Sequence, residues 1–446
     1  MPRLPLWRQP DFARLWSAQT IAQFGTQVSL LAIPLVAALT LDVTPLEFGM
    51  LTTVEFLPFL LISLPAGVWV DRLPRRPILI FADVGRGLAL LSIPIAFVLG
   101  GLTIWQLYAV GFVVGCLTVF FDVAYMSYLP SVVERDELLE GNSKLEISRS
   151  GAFIAGPGMA GVLIGALTAP IAITLTTVGY LASGALLWRI RKPEPEPEHK
   201  RRKANGESTT SMRTEILEGL RYVVGHPYLR ATAMATGISN FFGNVAFAIA
   251  LLYVVRELGL GAEQIGIAFS IGALGFLAGA ILANRIGRRL GVGPTIVVST
   301  LVFGPAALPI ALTTPEMAMP AMALAGLLQG FGGAVYNVNQ VSLRQAITPM
   351  RLQGRMNASM RFIVWGAIPL GATLGGILAS IIGLNATIWV GAIGGLFAFV
   401  PVLLSPVRKV RELPTEEAGT SSTATEPGDD ASDHGPVAVS GPEPVG

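Results

Sequence analysis

Apolar runs of about 20 residues recur along this chain from end to end. That is the length a helix needs to cross the ~30 Å hydrocarbon core of a bilayer. Only helices and closed barrels can satisfy every backbone polar group in that core, and barrel strands would alternate over about ten residues. The runs do not alternate. They fall at 17–41, 47–70, 77–100, 104–129, 146–168 and 170–190, then at 228–255, 262–284, 294–313, 317–342, 357–383 and 385–405. The expected fold class is therefore all-α, a polytopic membrane protein with twelve transmembrane helices. Composition agrees. The chain is 52% hydrophobic and 13% charged, against about 25% charged for soluble domains. So little polar side chain cannot cover a soluble fold of this size, which argues against a soluble enzyme, a nucleic-acid binder and a disordered scaffold.

Charge sets the expected orientation. With both ends placed inside, the inner loops and ends hold almost all the arginines and lysines, from Arg3, Arg8 and Arg14 to Arg408, Lys409 and Arg411. The outer loops hold one, Arg256. This is the positive-inside pattern, and it implies an integral plasma (inner) membrane protein with both termini cytoplasmic. Residues 412–446 carry eight acids and no Lys or Arg. A disordered acidic cytoplasmic tail is expected over 406–446.

A polar gap at 191–227 divides the spans. It opens with Pro-Glu repeats, which favour an extended spacer. Met212, Ile216, Leu220 and Val223 then recur at helical spacing among Arg213, Glu215, Glu218 and Arg221. An amphipathic helix on the inner membrane face is expected there. The flanking halves resemble each other at a nearly constant offset. Gly67-x-x-x-Asp71-Arg72-x-x-Arg75-Arg76 pairs with Ala280-x-x-x-Asn284-Arg285-x-Gly287-Arg288-Arg289, Pro10 with Pro227, and Asn142 with Asn357. The organisation expected is an N-terminal six-helix bundle over 1–190, a cytoplasmic linker over 191–227, and a pseudo-symmetric six-helix bundle over 228–405. Parallel repeats of this kind place a substrate site between the halves near mid-membrane.

Gly67 through Arg76 resembles the loop 2–3 signature of the major facilitator superfamily, with Pro74 where a glycine is usual. Gly151-x4-Gly156-Pro157-x3-Gly161 is similar to the Gly-Pro motif that drug/proton antiporters of that superfamily carry in the fifth span, with Ala160 where a second glycine is usual. The opening Pro10-Asp11-Phe12-Ala13-Arg14-Leu15-Trp16 and the stretch Leu129-Pro130-Ser131-Val132-Val133 resemble its macrolide-efflux and siderophore-exporter branch. The resemblance spans about residues 8–410. It implies alternating access of two bundles and proton-coupled export. It also implies that Gly67, Asp71, Arg72, Arg75 and Arg76 form an inner gate latch. Asn284, Arg285, Gly287, Arg288 and Arg289 would be its second-half counterpart.

Charged groups inside hydrocarbon cost roughly 2.5–3.5 kcal/mol each on insertion scales and are functional candidates by default. Glu55, Asp83, Arg86 and Asp122 are picked out within the spans. Glu55 lies about 12 Å from the outer end of its span, at 1.5 Å per residue. That depth suits a carboxylate that binds and releases a proton from a central cavity. Asp83, Arg86 and Asp122 share a depth near the inner side, and they read either as a structural charge cluster or as a second protonation site with Arg86 as the buried partner. Gln19, Gln23 and Gln27 make one polar stripe, and Asn240 and Asn244 make another on the repeat partner. With Gln329 and Asn337 they are candidate cavity lining. Arg344 counts among the inner-end topology residues, so the second half reads as nearly free of buried charge, which favours an apolar substrate.

No metal or other cofactor is expected. Cys116 is the only cysteine, His199, His226 and His434 lie outside the long apolar runs, and no P-loop occurs. Gly156-Pro157-Gly158-Met159-Ala160-Gly161 fits a dinucleotide pattern, but no strand precedes it and Pro157 occupies the turn. The function these features favour is secondary active export of small amphipathic or hydrophobic molecules, drug-, macrolide- or siderophore-like, in exchange for protons. The expected partners are membrane lipids, substrate and protons, with no nucleic acid, and the chain is expected to be a monomer. An importer or uniporter on the same fold, and a non-transporting receptor or assembly factor, remain as alternatives.

Overall fold

The computed structural model describes residues 5–70, 72–194 and 212–413. Twelve of its helices are long and apolar enough to cross a membrane, and no strand occurs among the described residues. In the first half these are α1 (Pro10–Leu35, continued by a π turn over Val36–Thr40), α2 (Pro45–Val70), α3 (Arg75–Val98), α4 (Ile104–Val132), α5 (Leu138–Leu167) and α6 (Ala169–Trp188). A helix outside the twelve, α7 (Met212–Gly225), follows the linker. The second half holds α8 (Pro227–Arg256), α9 (Ala262–Leu290), α10 (Val292–Ala311, broken between Phe303 and Leu308), α11 (Ala318–Ile347), α12 (Met350–Ile382) and α13 (Leu384–Leu403, broken after Leu396). The side bearing the 70–75, 132–138 and 290–292 turns is the basic side.

Each half buries its helices in the same pairings. In the first, α1 packs on α5 and α6, α3 on α4 and α6, and α2 on α4. In the second, α8 packs on α12 and α13, α10 on α11 and α13, and α9 on α11. The repeat extends to single turns. Thr168 between α5 and α6 has φ 79°, and Gly383 between α12 and α13 has φ 88°. Both turns need the left-handed region, which glycine enters freely and threonine only under strain.

Several helices run past the apolar runs toward the basic side. α1 starts at Pro10 rather than 17, α5 at Leu138 rather than 146, and α9 continues to Leu290 rather than 284. Hydropathy marks where hydrocarbon ends, whereas the helix continues into water as long as its backbone bonds are made. The segment 406–413, expected as part of a disordered tail, is docked instead. Val407 is fully buried, and the amides of Gly293 and Val292 donate to the carbonyls of Val410 (2.8 Å) and Arg411 (3.2 Å). The rest of that tail lies outside the described residues. α7 also differs from a helix resting on lipid alone. Val223 is buried against Met356 and Met360 of α12, and Glu218 pairs with Arg355 at 2.5 Å.

The apolar core is shared on one side and split on the other. Away from the basic side, one cluster joins both halves, with Leu31, Leu35, Ile164 and Ile173 from the first and Ile249, Leu252, Ile265 and Ile388 from the second. Toward the basic side each half keeps its own cluster, around Phe12, Leu79 and Tyr128 in the first and around Ile296, Tyr336 and Leu343 in the second. The halves meet along two seams, α2 on α12 and α5 on α9, which the repeat exchanges. Both are glycine contacts. A Cβ added to Gly49 would stand 2.6 Å from the Ala372 carbonyl oxygen, and one added to Gly266 would stand 2.4 Å from that of Pro157. Thr53 and Thr373 hydroxyls bond across the first seam at 2.9 Å, and the Gly158 amide donates to Ser270 Oγ across the second at 2.9 Å. At the far end Arg256 bridges to Asp42 at 2.6 Å.

Candidate functional site

A polar cavity of about 530 Å³ lies between α8, α10, α11 and α12. α8 contributes Thr236, Ser239 and Asn240, and α11 contributes Gln329, Tyr336, Asn337, Gln340 and Arg344. α12 completes it with Asn357, Met360, Arg361 and Trp365. Internal bonds set several of these side chains. The Tyr336 and Thr236 hydroxyls are 2.7 Å apart, and Asn240 Nδ2 donates to the Val364 carbonyl at 3.3 Å. Trp365 stacks on Phe59 of α2, centroids 4.6 Å apart, where the first seam begins.

Three of the expected lining residues, Asn240, Gln329 and Asn337, line this cavity; Asn244, Gln19, Gln23 and Gln27 do not. Asn244 turns back along its helix, donating to the Asn240 carbonyl at 2.8 Å. Gln19 is buried, and Gln27 packs over Gly156, where an added Cβ would stand 2.5 Å from its Cγ. Shared helical spacing places residues on one face, but neighbouring helices decide whether that face meets a cavity or another helix. Pro157 and Gly161 sit in the α5–α9 seam, and Gly151 faces open space.

The largest departure is cationic. Arg361, exposed to the cavity, lies inside the apolar run 357–383 and escaped the count of charges within the runs, and Arg344 is a cavity residue at 9% exposure rather than a topology marker. The second half is therefore not free of buried charge, and the preference for an apolar substrate that rested on that reading falls. A direct check of each run for single charged residues would have found Arg361.

The acids occupy three different settings. Asp83 is fully buried; it pairs with Arg86 and accepts from Ser183 Oγ at 2.5 Å. Arg86 lies between the rings of Phe121 and Tyr180, its Cζ 4.4 Å from each centroid, and reaches Thr118 Oγ1 at 3.5 Å. This knot ties α3 to α4 and α6 within one bundle. Asp122 is exposed, within Coulombic reach of Arg86 and of Arg361 across the space between the halves. Arg86, Asp122 and Arg361 all lie about 15–16 Å from the basic-side ends of their helices, at 1.5 Å per residue. Glu55 of α2 lies in a slot made by Gly111 and Gly115 of α4. Cβ atoms there would stand 3.0 Å from Glu55 Cγ and 2.6 Å from its carbonyl oxygen. Its carboxylate has no hydrogen bond or ion pair with any described residue. It is two residues from Thr53, the polar link of the α2–α12 seam.

Of the loop motif, Asp71 lies outside the described residues, and Gly67 is the fourth residue from the end of α2. Arg72 is exposed. The amides of Arg75 and Arg76, at the start of α3, donate to the Glu194 carboxylate at 2.6 and 3.1 Å, an anion at a helix N-terminus. Arg76 caps the other pole, with Nε on the Leu187 carbonyl at 3.1 Å and Nη2 on that of Trp188. In the second copy Asn284, Arg285, Arg288 and Arg289 are exposed, and Gly287 packs against Asn339. Arg411, from the docked segment, reaches the Leu290 carbonyl at 2.9 Å.

A family profile described as a transmembrane secretion effector matches residues 3–440. The multidrug efflux pump Tap of Mycolicibacterium fortuitum is 28% identical over 426 residues, covering 91% of this chain and 97% of that protein. An uncharacterized MFS-type transporter of Bacillus subtilis, YfiS, is 24% identical over 85% of this chain and 90% of its own. Two solved structures share the fold. A bacterial homologue of the lysosomal transporter Spinster, inward-facing and occupied, superposes with a TM-score of 0.70 at 13% identity, over 92% of this chain and 98% of that one. A bacterial homologue of the iron transporter ferroportin, inward-facing, gives 0.66 at 18%, over 90% and 99%.

Proposed function

We propose that this chain, which belongs to the transmembrane secretion effector family and is an integral membrane transporter of the major facilitator superfamily rather than an enzyme, exports small amphipathic or hydrophobic molecules in exchange for protons. One observation carries the reading. Toward the basic side each half keeps its own core, and the cavity, walled by second-half helices, holds Arg361 within Coulombic reach of Asp122 of the first half, while glycine seams and a common core join the halves on the other side. This is the arrangement of an alternating-access protein ready to load from its basic side. By the positive-inside rule that side is the cytoplasm, with both described ends there. The efflux pumps among its relatives support the outward direction.

Glu55 is the exchanging carboxylate. It is unpaired, it is held against two glycines, and it adjoins the seam that must part when the site turns outward. Charging it there is costly unless the slot opens to water, so proton release and seam opening are coupled. Asp122, exposed and facing Arg361, is the second proton site. Asp83 is committed to Arg86 and Ser183 and holds the bundle together. Asp71 and its neighbours latch the cytoplasmic side in the opposite state, and the exposed arginines meet lipid phosphates. The protein acts as a monomer.

The test is proton release from purified protein in detergent on adding a panel of lipophilic compounds. Release that Glu55→Gln abolishes supports the reading. Release that survives Glu55→Gln but not Asp122→Asn moves the site to Asp122. Compounds that bind with no release at any pH overturn proton exchange.

A further inference from the structure

The cavity carries more positive charge than its walls compensate. Arg344 and Arg361 both line it, and neither makes a hydrogen bond or ion pair with any described residue. Arg344 is 9% exposed, and its Nε is buried without a partner. A guanidinium cannot shed its proton to escape such a setting, and a buried charge without a counter-charge costs several kcal/mol. The arginines of the loop motifs are different. Arg72, Arg285, Arg288 and Arg289 are exposed on the basic side, where topology alone accounts for them. Arg361 is also exposed, but onto the cavity, about 16 Å along its helix from that side. Asp122 lies within its Coulombic reach but is shared with Arg86, and Arg344 has no acid of its own among the described residues.

We infer that the transported molecule carries an anionic group, a carboxylate, which sits between Arg344 and Arg361. This rests on the export reading and narrows it from amphipathic molecules in general to amphipathic anions. The rest of the cavity suits such a molecule. Its volume, about 530 Å³, is that of a drug-sized ligand site. Asn240 and Gln329 offer polar contacts away from the arginines, and the Trp365 ring gives an apolar wall. A guanidinium pairs with a planar carboxylate through two parallel hydrogen bonds. One substrate carboxylate thus supplies the charge that the chain withholds, and a neutral or cationic molecule leaves both guanidinium groups unpaired.

The test uses the full chain in lipid nanodiscs and matched amphipathic pairs, each a carboxylate and its primary amide, beginning with cholate and its amide. Calorimetric titration should show the carboxylate binding at least about 10-fold more tightly than the amide, a charge-assisted bond being roughly twice as strong as a neutral one. Arg344→Gln and Arg361→Gln should each reduce that preference, and the double variant should abolish it while amide binding persists, which shows that the cavity is still folded. Equal binding of every pair, or a preference that survives in the double variant, overturns the inference. Co-purification of phosphatidylglycerol that is lost in the double variant while carboxylate preference is unchanged also overturns it, because the arginines then hold a lipid phosphate. Proteoliposome flux separates the two readings: transport of the amides without the carboxylates leaves export standing and removes the anion site, whereas binding without any flux removes export.

Discussion

Adding one methyl group at Gly266 should push this protein out of the conformation described above. A Cβ there would stand 2.4 Å from the Pro157 carbonyl oxygen and 2.8 Å from the Gly161 Cα. Both are backbone atoms of α5, so no side chain can swing aside; the helices must separate. Overpacking of this kind costs typically about 1–3 kcal/mol, and it falls only on the conformation in which the α5–α9 seam is closed. At 1.4 kcal/mol per decade, Gly266→Ala shifts the closed-to-open equilibrium by about 5- to 150-fold. The assay is double electron–electron resonance between spin labels at Leu39→Cys and Leu312→Cys in a Cys116→Ser background. Both leucines are exposed, at 56% and 66%, on the side away from the basic loops. The long-distance population should rise by at least about five-fold. Gly165→Ala is the control, because a Cβ there meets nothing within 4 Å. It also matches the gain in helix propensity of roughly 1 kcal/mol that any Gly→Ala change brings to a helix. Distance distributions for Gly266→Ala that match the control would refute the argument, since the seam would then yield locally and not gate the halves.

Other outcomes follow from the same contacts. Asp83→Asn leaves Arg86 buried without its counter-charge, so thermal unfolding should fall by the equivalent of about 3–5 kcal/mol, whereas Asp122→Asn, at an exposed site, should leave it within about 1 kcal/mol. Asp42→Ala removes a bridge whose acid is 90% exposed, and thermal denaturation should register a loss of no more than about 1 kcal/mol. At Gly219 a Cβ would stand 2.5 Å from the Arg355 carbonyl oxygen. Gly219→Leu should therefore undock α7 from α12, seen as faster amide exchange across 218–225 with the exchange of α8 unchanged.

The separation of labour between sequence and fold is visible in particular residues. Twelve crossings were legible because the demand is local: each helix must satisfy its own backbone within ~30 Å of hydrocarbon. The duplication was legible because matched turns recur in order, and the structure carries it down to Thr168 and Gly383. The basic-side helix ends were not, since a helix that continues into water loses the apolar signature but not its hydrogen bonds. Glu55 could be picked out as a lone acid in an apolar run. Its glycine slot could not, because Gly111 and Gly115 lie on another helix.

What the chain determined by itself is the number of crossings, their alternating direction and the split into two like halves, all consequences of solvation along a single segment. What only the tertiary structure decided is who faces whom. Gln27 met Gly156 rather than a cavity, Asp83 met Arg86 and Ser183 within one bundle, and Gly266 met Pro157 across the two halves. Arg344 looked like an ordinary residue at a helix end until α8 and α12 closed around it. Burial, and with it the cost of an unpaired charge, belongs to the packed assembly of helices and not to any one of them.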